Sequence, residues 1–215
     1  MERILNLAAA DVINERPDGT DEDVHFPQAL AHAVINSYSS PGETVLDPFA
    51  GWGTTLVVAE RLGRRAVGIE LIHERVAAIK RRVSPAAVVL EADARKLDSL
   101  HLAQIDLCFT SPPYMSAVEH PQNPLSAYST LDGHYDTYLT ELTDVFTAVS
   151  RHLRTGGYLV INAANIRTGE IVTPLAWDIA HALTPHLAFR GETYLAWDQP
   201  PAMFTGDYCL TFQKP

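Results

Sequence analysis

Five consecutive residues, Thr110-Ser111-Pro112-Pro113-Tyr114, combine hydrogen-bond acceptors with an aromatic face. Two prolines rigidify the turn and leave the Pro112 carbonyl without competing local N–H partners, while Ser111 supplies a hydroxyl and Tyr114 a flat ring. Such a set suits a planar amine. An exocyclic amino group can donate its two N–H bonds to a Ser111 oxygen and the Pro112 carbonyl while Tyr114 stacks on the heterocycle. That geometry draws the nitrogen lone pair out of ring conjugation and makes it nucleophilic. Taken alone, the same residues also read as an ordinary Pro-Pro surface turn.

A second cluster, Val45-Leu46-Asp47-Pro48-Phe49-Ala50-Gly51-Trp52-Gly53-Thr54-Thr55, places an acid and two glycines between a buried strand and a helix. Gly51 and Gly53 remove Cβ obstruction, and the helix N-terminus offers free N–H groups to a carboxylate. A lone GxG is equally a structural turn or a dinucleotide loop. Gly68-Ile69-Glu70 then ends a second strand in an acid, where these folds hold a ribose diol, although an acid there also suits a helix N-terminus. Asp93, after a third strand, reads as ligand or cap.

The elements that must position these residues follow from periodicity. Phe26 to Tyr38 carries apolar residues at helical spacing and stops at Ser39-Ser40-Pro41-Gly42. From Thr44 the chain alternates: strand Thr44 to Leu46, helix Thr54 to Leu62, strand Ala66 to Ile69, helix Leu71 to Arg82, strand Val88 to Leu90. A strand at Ile105 to Thr110, a helix at Tyr138 to Leu153, a strand at Tyr158 to Ile161 and a helix at Pro174 to Leu183 follow. Two strands close the chain near Thr193 to Trp197 and Tyr208 to Gln213. The pattern predicts an α/β, Rossmann-like, doubly wound and mostly parallel sheet of about seven strands, with helices on both faces and the ligand at the strands' carboxyl ends. Gly156-Gly157 is expected to cap the helix before it and turn the chain. Residues 1–23, with the acidic stretch Asn14 to Asp23, form an N-terminal segment, and 24–215 a single domain.

DPFAGWGTT, an acid-terminated second strand and TSPPY, in this order, resemble the S-adenosylmethionine-dependent amino-methyltransferases of nucleic acids, with their DPFxGxGTT and S-P-P-Y motifs. The resemblance spans roughly Val24 to Asn165. It implies that Asp47, Pro48, Phe49, Gly51 and Gly53 line the methionine end of the cofactor, with Thr54 and Thr55 near its carboxylate. It further implies Glu70 on the ribose hydroxyls, Asp93 and Ala94 at the adenine, and Ser111, Pro112, Pro113 and Tyr114 as the catalytic loop. His25-Phe26-Pro27 is similar to the family's cofactor-binding element, and equally reads as a hydrophobic staple. S-P-P-Y is the form associated with cytosine N4, while D-P-P-Y is the usual adenine-N6 form. No metal is implied.

Two features depart from the family. Many members with S-P-P-Y place the catalytic loop before the cofactor loop, the reverse of the order here, and Trp52 stands where a small residue is more usual. Only Met115 to Tyr135 and the stretch around Asp198 to Asp207 are left to recognise a target. The former, with Pro, Ser, Asn, His and Tyr128, reads as a substrate loop at 115–135 or as a surface loop.

Composition narrows the partners. With 215 residues, 47% hydrophobic and 20% charged, the chain can build one sizeable core and has no apolar run long enough to span a bilayer, which excludes a membrane role. Two isolated cysteines and no leader pattern point to the cytoplasm. A net charge of -10 opposes nonspecific attraction to phosphates, and Leu97 to Ser150 contains no Lys or Arg. Phosphate contacts near the site fall to Arg151, Arg154, Arg167 or Arg190, with Lys80-Arg81-Arg82 a solvated face. Three readings stay open: a DNA amino-methyltransferase, cytosine N4 before adenine N6, that is minimal or relies on a protein partner for target recognition; an RNA amino-methyltransferase; and an inactive cofactor-binding subunit.

Overall fold

A computed structural model describes residues 1–17, 26–118, 122–126 and 133–215. In chain order it contains β1 (Ile4–Leu7), α1 (Ala9–Asn14), α2 (Gln28–Tyr38), β2 (Thr44–Asp47), α3 (Thr54–Arg61), β3 (Arg65–Glu70), α4 (His73–Arg82), β4 (Val88–Glu91) and β5 (Ile105–Thr110). There follow α5 (Tyr135–His152), β6 (Leu153–Thr168), β7 (Ile171–Thr173), α6 (Leu175–Leu183), β8 (Ala188–Trp197) and β9 (Phe204–Gln213). Short 3-10 segments lie at Ala94–Ser99 and Pro124–Ser126.

All strands join one sheet in the order β1-β8-β9-β6-β5-β2-β3-β4, with β7 paired to β6 beside that path. Among the described residues the count is nine where about seven were expected. The two additions are short: β1 pairs in parallel with β8 across nearly the whole chain, and β7 is a three-residue antiparallel return against the end of β6. The strands β2 to β6 are parallel, and β9 is antiparallel to both β6 and β8.

Helices cover both faces. Phe146 and Val149 of α5 and Ile179 and Leu183 of α6 close one face, while Leu30 and Val34 of α2, Leu56 of α3 and Ile79 of α4 close the other. All four residues of β2 are consequently buried. From β2 the chain winds outward to β3 and β4, then returns to β5 on the opposite side. The crevice beyond β2 and β5 is therefore the topological switch point.

Gly156 adopts a left-handed φ of +76°, but it does not cap α5, which ends at His152 with Leu153 as cap. It bends the chain three residues later, where its N–H donates to the Lys214 carbonyl at 2.9 Å. Among the described residues no helix is long and apolar enough to cross a membrane.

Candidate active site

The two motif loops meet at the switch point through one carboxylate. Asp47 ends β2, and β5 beside it ends in Thr110. Thr110 Oγ1 donates to Asp47 Oδ1 at 2.6 Å, Thr55 Oγ1 of α3 donates to Oδ2 at 2.6 Å, and the Phe49 N–H donates to Oδ1 at 3.0 Å. Burial pushes Asp47 from its ordinary 3.8 up to about 6, although the Thr110, Thr55 and Phe49 donors pull the other way. Asp47 thus braces β2, α3 and β5 together, and Thr55 is spent on that brace.

The loop after Asp47 reaches α3 through two glycines in the left-handed region, Gly51 at φ +53° and Gly53 at +85°. A Cβ on Gly53 would press on Ile79 of α4 at 3.0 Å, whereas one on Gly51 would meet nothing closer than 3.9 Å. Gly53 is the N-cap of α3 and has no side chain to satisfy the first-turn N–H groups at Thr54 and Thr55. Pro48 is buried, and the Phe49 ring stands edge-on to Phe146 at 6.3 Å.

Glu70, at the end of β3, turns back toward this loop. Its Oε2 accepts the Gly51 N–H at 2.8 Å and its Oε1 the Ile72 N–H at 2.9 Å. Burial raises its pKa, countered by those N–H groups and by the charge of Arg75. Trp52 packs under Arg75, whose guanidinium lies 5.5 Å from the ring centroid, and Arg82 donates to the Trp52 carbonyl. The tryptophan thus joins the loop to α4, and part of the basic cluster serves that contact; Lys80 and Arg81 are exposed.

Asp93 caps the 3-10 segment and holds Arg95, accepting its backbone N–H at 2.9 Å and its guanidinium at 2.7 Å. Burial alone would raise the Asp93 pKa, but the hydrogen bonds and charge of Arg95 outweigh it and hold the group low. Arg95 also reaches Glu141 of α5 at 3.3 Å, and Glu141 accepts from Asn123 at 2.6 Å. Ala94 is buried beside this pair. Phe26 lies 4.9 Å from Phe109 of β5, and the buried Pro27 caps α2. His25 lies outside the described residues, as do 119–121 and 127–132 of the expected substrate loop, Tyr128 among them.

The Ser111–Tyr114 turn is fixed on both sides. Tyr138 Oη of α5 donates to the Pro113 carbonyl at 2.9 Å, one residue past the Pro112 carbonyl expected to hold an amine. Met115 is wholly buried, and Ala117 N–H donates to Thr173 Oγ1 at 2.9 Å, so the unexpected β7 anchors the exit of the loop. Ser111 Oγ donates to Tyr114 Oη, and Tyr114 Oη to the Asn162 carbonyl, both at 3.3 Å. Burial pushes the Tyr114 phenol well up, so it stays neutral.

Residues the sequence reading missed complete this side. Phe204 of β9 places its ring 5.9 Å from that of Tyr114. Asn162 Nδ2 donates to Asp207 Oδ1 at 2.7 Å, and Trp197 Nε1 to Asp207 Oδ2 at 2.8 Å. Phe204 and Asp207 fall in the stretch around Asp198 to Asp207 to which the sequence pattern assigns no element, and that gap is the signal pointing to them. Of the four arginines assigned to phosphate, three have partners within the chain: Arg151 pairs with Asp98, Arg154 with Asp106 at 2.7 Å, and Arg190 bonds Gln213 at 3.0 Å.

Residues 13–81 match the family model described as DNA methylase. Among curated proteins, the chain is 44% identical over 71 residues to the Type II methyltransferase M.SmaI of Serratia marcescens, covering 33% of this chain and 24% of that protein. It is 44% identical over 59 residues to M.MthZI of Methanothermobacter thermautotrophicus, covering 27% and 17%. The chain therefore spans a quarter or less of the curated relatives it matches. Among solved structures, TrmN from Thermus thermophilus superposes with a TM-score of 0.65 at 20% identity, over 88% of this chain and 49% of that one. NodS from Bradyrhizobium japonicum superposes at 0.60 with 13% identity, over 87% and 94%. These likenesses bear out the fold, and the sequence matches bear out the resemblance to DNA amino-methyltransferases over the third of the chain that holds the glycine loop.

Proposed function

We propose that the chain is an S-adenosylmethionine-dependent methyltransferase that modifies the exocyclic amine of a nucleic-acid base, cytosine N4 in DNA. The observation that carries this reading is the 2.6 Å bond from Thr110 to Asp47, which locks the amine-holding turn against the glycine loop. Two loops of complementary chemistry are thereby held at one crevice.

The residues present fit the cofactor. Gly51 leaves open space, the uncapped start of α3 offers N–H groups to a carboxylate, and Glu70 keeps lone pairs for two hydroxyls beyond the two N–H bonds it accepts. Asp93 and Ala94 lie beyond β4, toward the adenine end, and Phe26-Pro27 and Phe49 supply apolar walls. When bound, S-adenosylmethionine supplies an already activated sulfonium methyl. The chain's task is alignment and exclusion of water. Ser111 and the Pro112 carbonyl take the two amine hydrogens, and the Tyr114 ring supports the base plane, with Phe204 beside it. The nitrogen loses its proton after becoming cationic, so no strong base need stand beside Ser111. A base in duplex DNA must leave the stack to reach Tyr114. With Arg151, Arg154 and Arg190 engaged within the chain, Arg167 is the one of the four left to face a phosphate, and a protein partner supplies further phosphate contacts and target choice.

The test is transfer of labelled methyl from S-adenosylmethionine to duplex DNA, single-stranded DNA and RNA, with nucleoside mass identification and Tyr114→Ala alongside. N4-methylcytosine in DNA, lost in the variant, is expected. Label confined to RNA, or N6-methyladenine, overturns the substrate; cofactor binding without transfer to any acid, with and without candidate partners, overturns the enzyme.

A further inference from the structure

The phenol of Tyr114 ends on a buried polar network that the scheme above does not use. Asn162 of β6 faces two ways: its carbonyl accepts from Tyr114 Oη at 3.3 Å, and its amide donates to Asp207 Oδ1 at 2.7 Å and to the Tyr208 carbonyl at 3.2 Å. The second oxygen of Asp207 accepts from Trp197 Nε1, the last residue of β8. Asn162 is 5% exposed and Asp207 4%. In the antiparallel register Asn162 faces Cys209 and Asp207 faces Ala164, so the two side chains are diagonal neighbours on one face. An apolar pair would fill this space without desolvating a carboxylate, so the network calls for a reason other than packing.

Resting on the methyltransferase reading, we propose that Asp207 is a positioning residue: clamped between Trp197 and Asn162, it fixes the Asn162 peptide and thereby the Tyr114 ring over the amine-holding turn. The carboxylate is suited to this because it accepts from both sides at once. An isosteric amide cannot. Whichever way an asparagine is turned at 207, its NH₂ confronts either the Asn162 amide or the Trp197 indole N–H, donor against donor. The clamp then opens on one side, and the tyrosine loses the rigid carbonyl it leans on.

The test compares wild type with Asp207→Asn, and with Trp197→Phe, which keeps a ring and deletes a single donor. Expected for Asp207→Asn is a fall in kcat of about 10- to 100-fold, the scale of a small misplacement of reacting groups, with the dissociation constant for S-adenosylmethionine unchanged within about twofold. Trp197→Phe should fall in the same direction by less. Amide hydrogen exchange at Tyr114 and Met115 should quicken about tenfold in Asp207→Asn while exchange in β2 and α3 stays as in wild type; this readout requires no turnover. A wild type that transfers no methyl, with and without candidate partners, defeats the methyltransferase reading and leaves the exchange comparison to decide the clamp. A folded Asp207→Asn with unchanged kcat, or with unchanged exchange at Tyr114, overturns the clamp. So does a parallel loss of turnover, cofactor affinity and melting temperature, which marks a general structural role; if Asp207→Asn does not fold, the same criteria are read on Trp197→Phe.

Discussion

Asp47 and Asp207 are two answers to one physical problem. Each is a buried carboxylate that burial pushes up to about 6 against the pull of its donors. Each ties neighbouring strands beside the same crevice. Asp47 draws its donors from Phe49, Thr55 and Thr110, two of them within eight residues, and so organises the glycine loop. Asp207 draws on Trp197 and on Asn162, 45 residues away, and so organises the tyrosine side. The glycine-loop side of the crevice is built mainly by local chain chemistry, and the tyrosine side by strand register.

The sharpest way to break this comparison is to delete the local brace. Asp47→Ala orphans two hydroxyls and an N–H at about 1–3 kcal/mol each, so a loss of roughly 3–9 kcal/mol in urea-unfolding free energy is expected, together with calorimetric loss of S-adenosylmethionine binding. Binding retained at wild-type strength would show that the glycine loop stands without Asp47.

Next comes the pH dependence of stability. Both carboxylates have folded pKa values above the ordinary 3.8, so in the window from about 4 to 6 the folded state holds protons that the unfolded state has released. Their contribution is full below about 3.8 and is lost as pH rises through about 6. The rise is worth up to about 3 kcal/mol per group at about 1.4 kcal/mol per pKa unit. Glu70 shifts in the same sense, while Asp93 and Asp98, held low, act only in more acid solution. Unfolding free energy should decline between pH 4 and 6, and Asp47→Asn and Asp207→Asn should each flatten the decline. A slope unchanged in both variants would show that neither carboxylate carries it.

Gly53→Ala probes the local half more gently. The left-handed φ of +85° and the 3.0 Å approach to Ile79 make a side chain there cost about 1–3 kcal/mol. Weaker cofactor binding is expected to accompany the lower melting temperature, with exchange at Tyr114 unaffected. The smallest effect belongs to Arg95→Ala. Its pairs with Asp93 and Glu141 are partly solvated, so about 0.2–1 kcal/mol of stability is at stake. Cofactor affinity should change more than stability if Asp93 must be held in place for the adenine.

The same division governs what could be read from the chain. The alternation from Thr44 to Leu90 placed β2 to β4 within a residue or two, because periodicity and turn residues are local signals, and it put Asp47 and Glu70 at strand ends. TSPPY was legible as a turn closing a strand for the same reason. β1 and β7 were not, since four and three residues carry little pattern and each is a strand only by virtue of its partner. Asn162, Asp207 and Phe204 were illegible individually. Nothing near Asp207 in sequence announces Asn162; the antiparallel register of β6 and β9 brings them together. Of the two readings of Asp93, the structure shows the cap, but its tight hold on Arg95 depends on a side chain turning back over two residues.

The pairing of β1 with β8 bears on how the chain is made. Thr193 of β8 donates to the Glu2 carbonyl across 191 residues, and the Tyr194 N–H to that of Arg3. During synthesis the first strand leaves the ribosome long before its partner exists, and its backbone groups are left to water until nearly the whole sheet is complete. Such late, long-range closure slows folding and leaves β8 as an open edge, available to another molecule, until β1 docks.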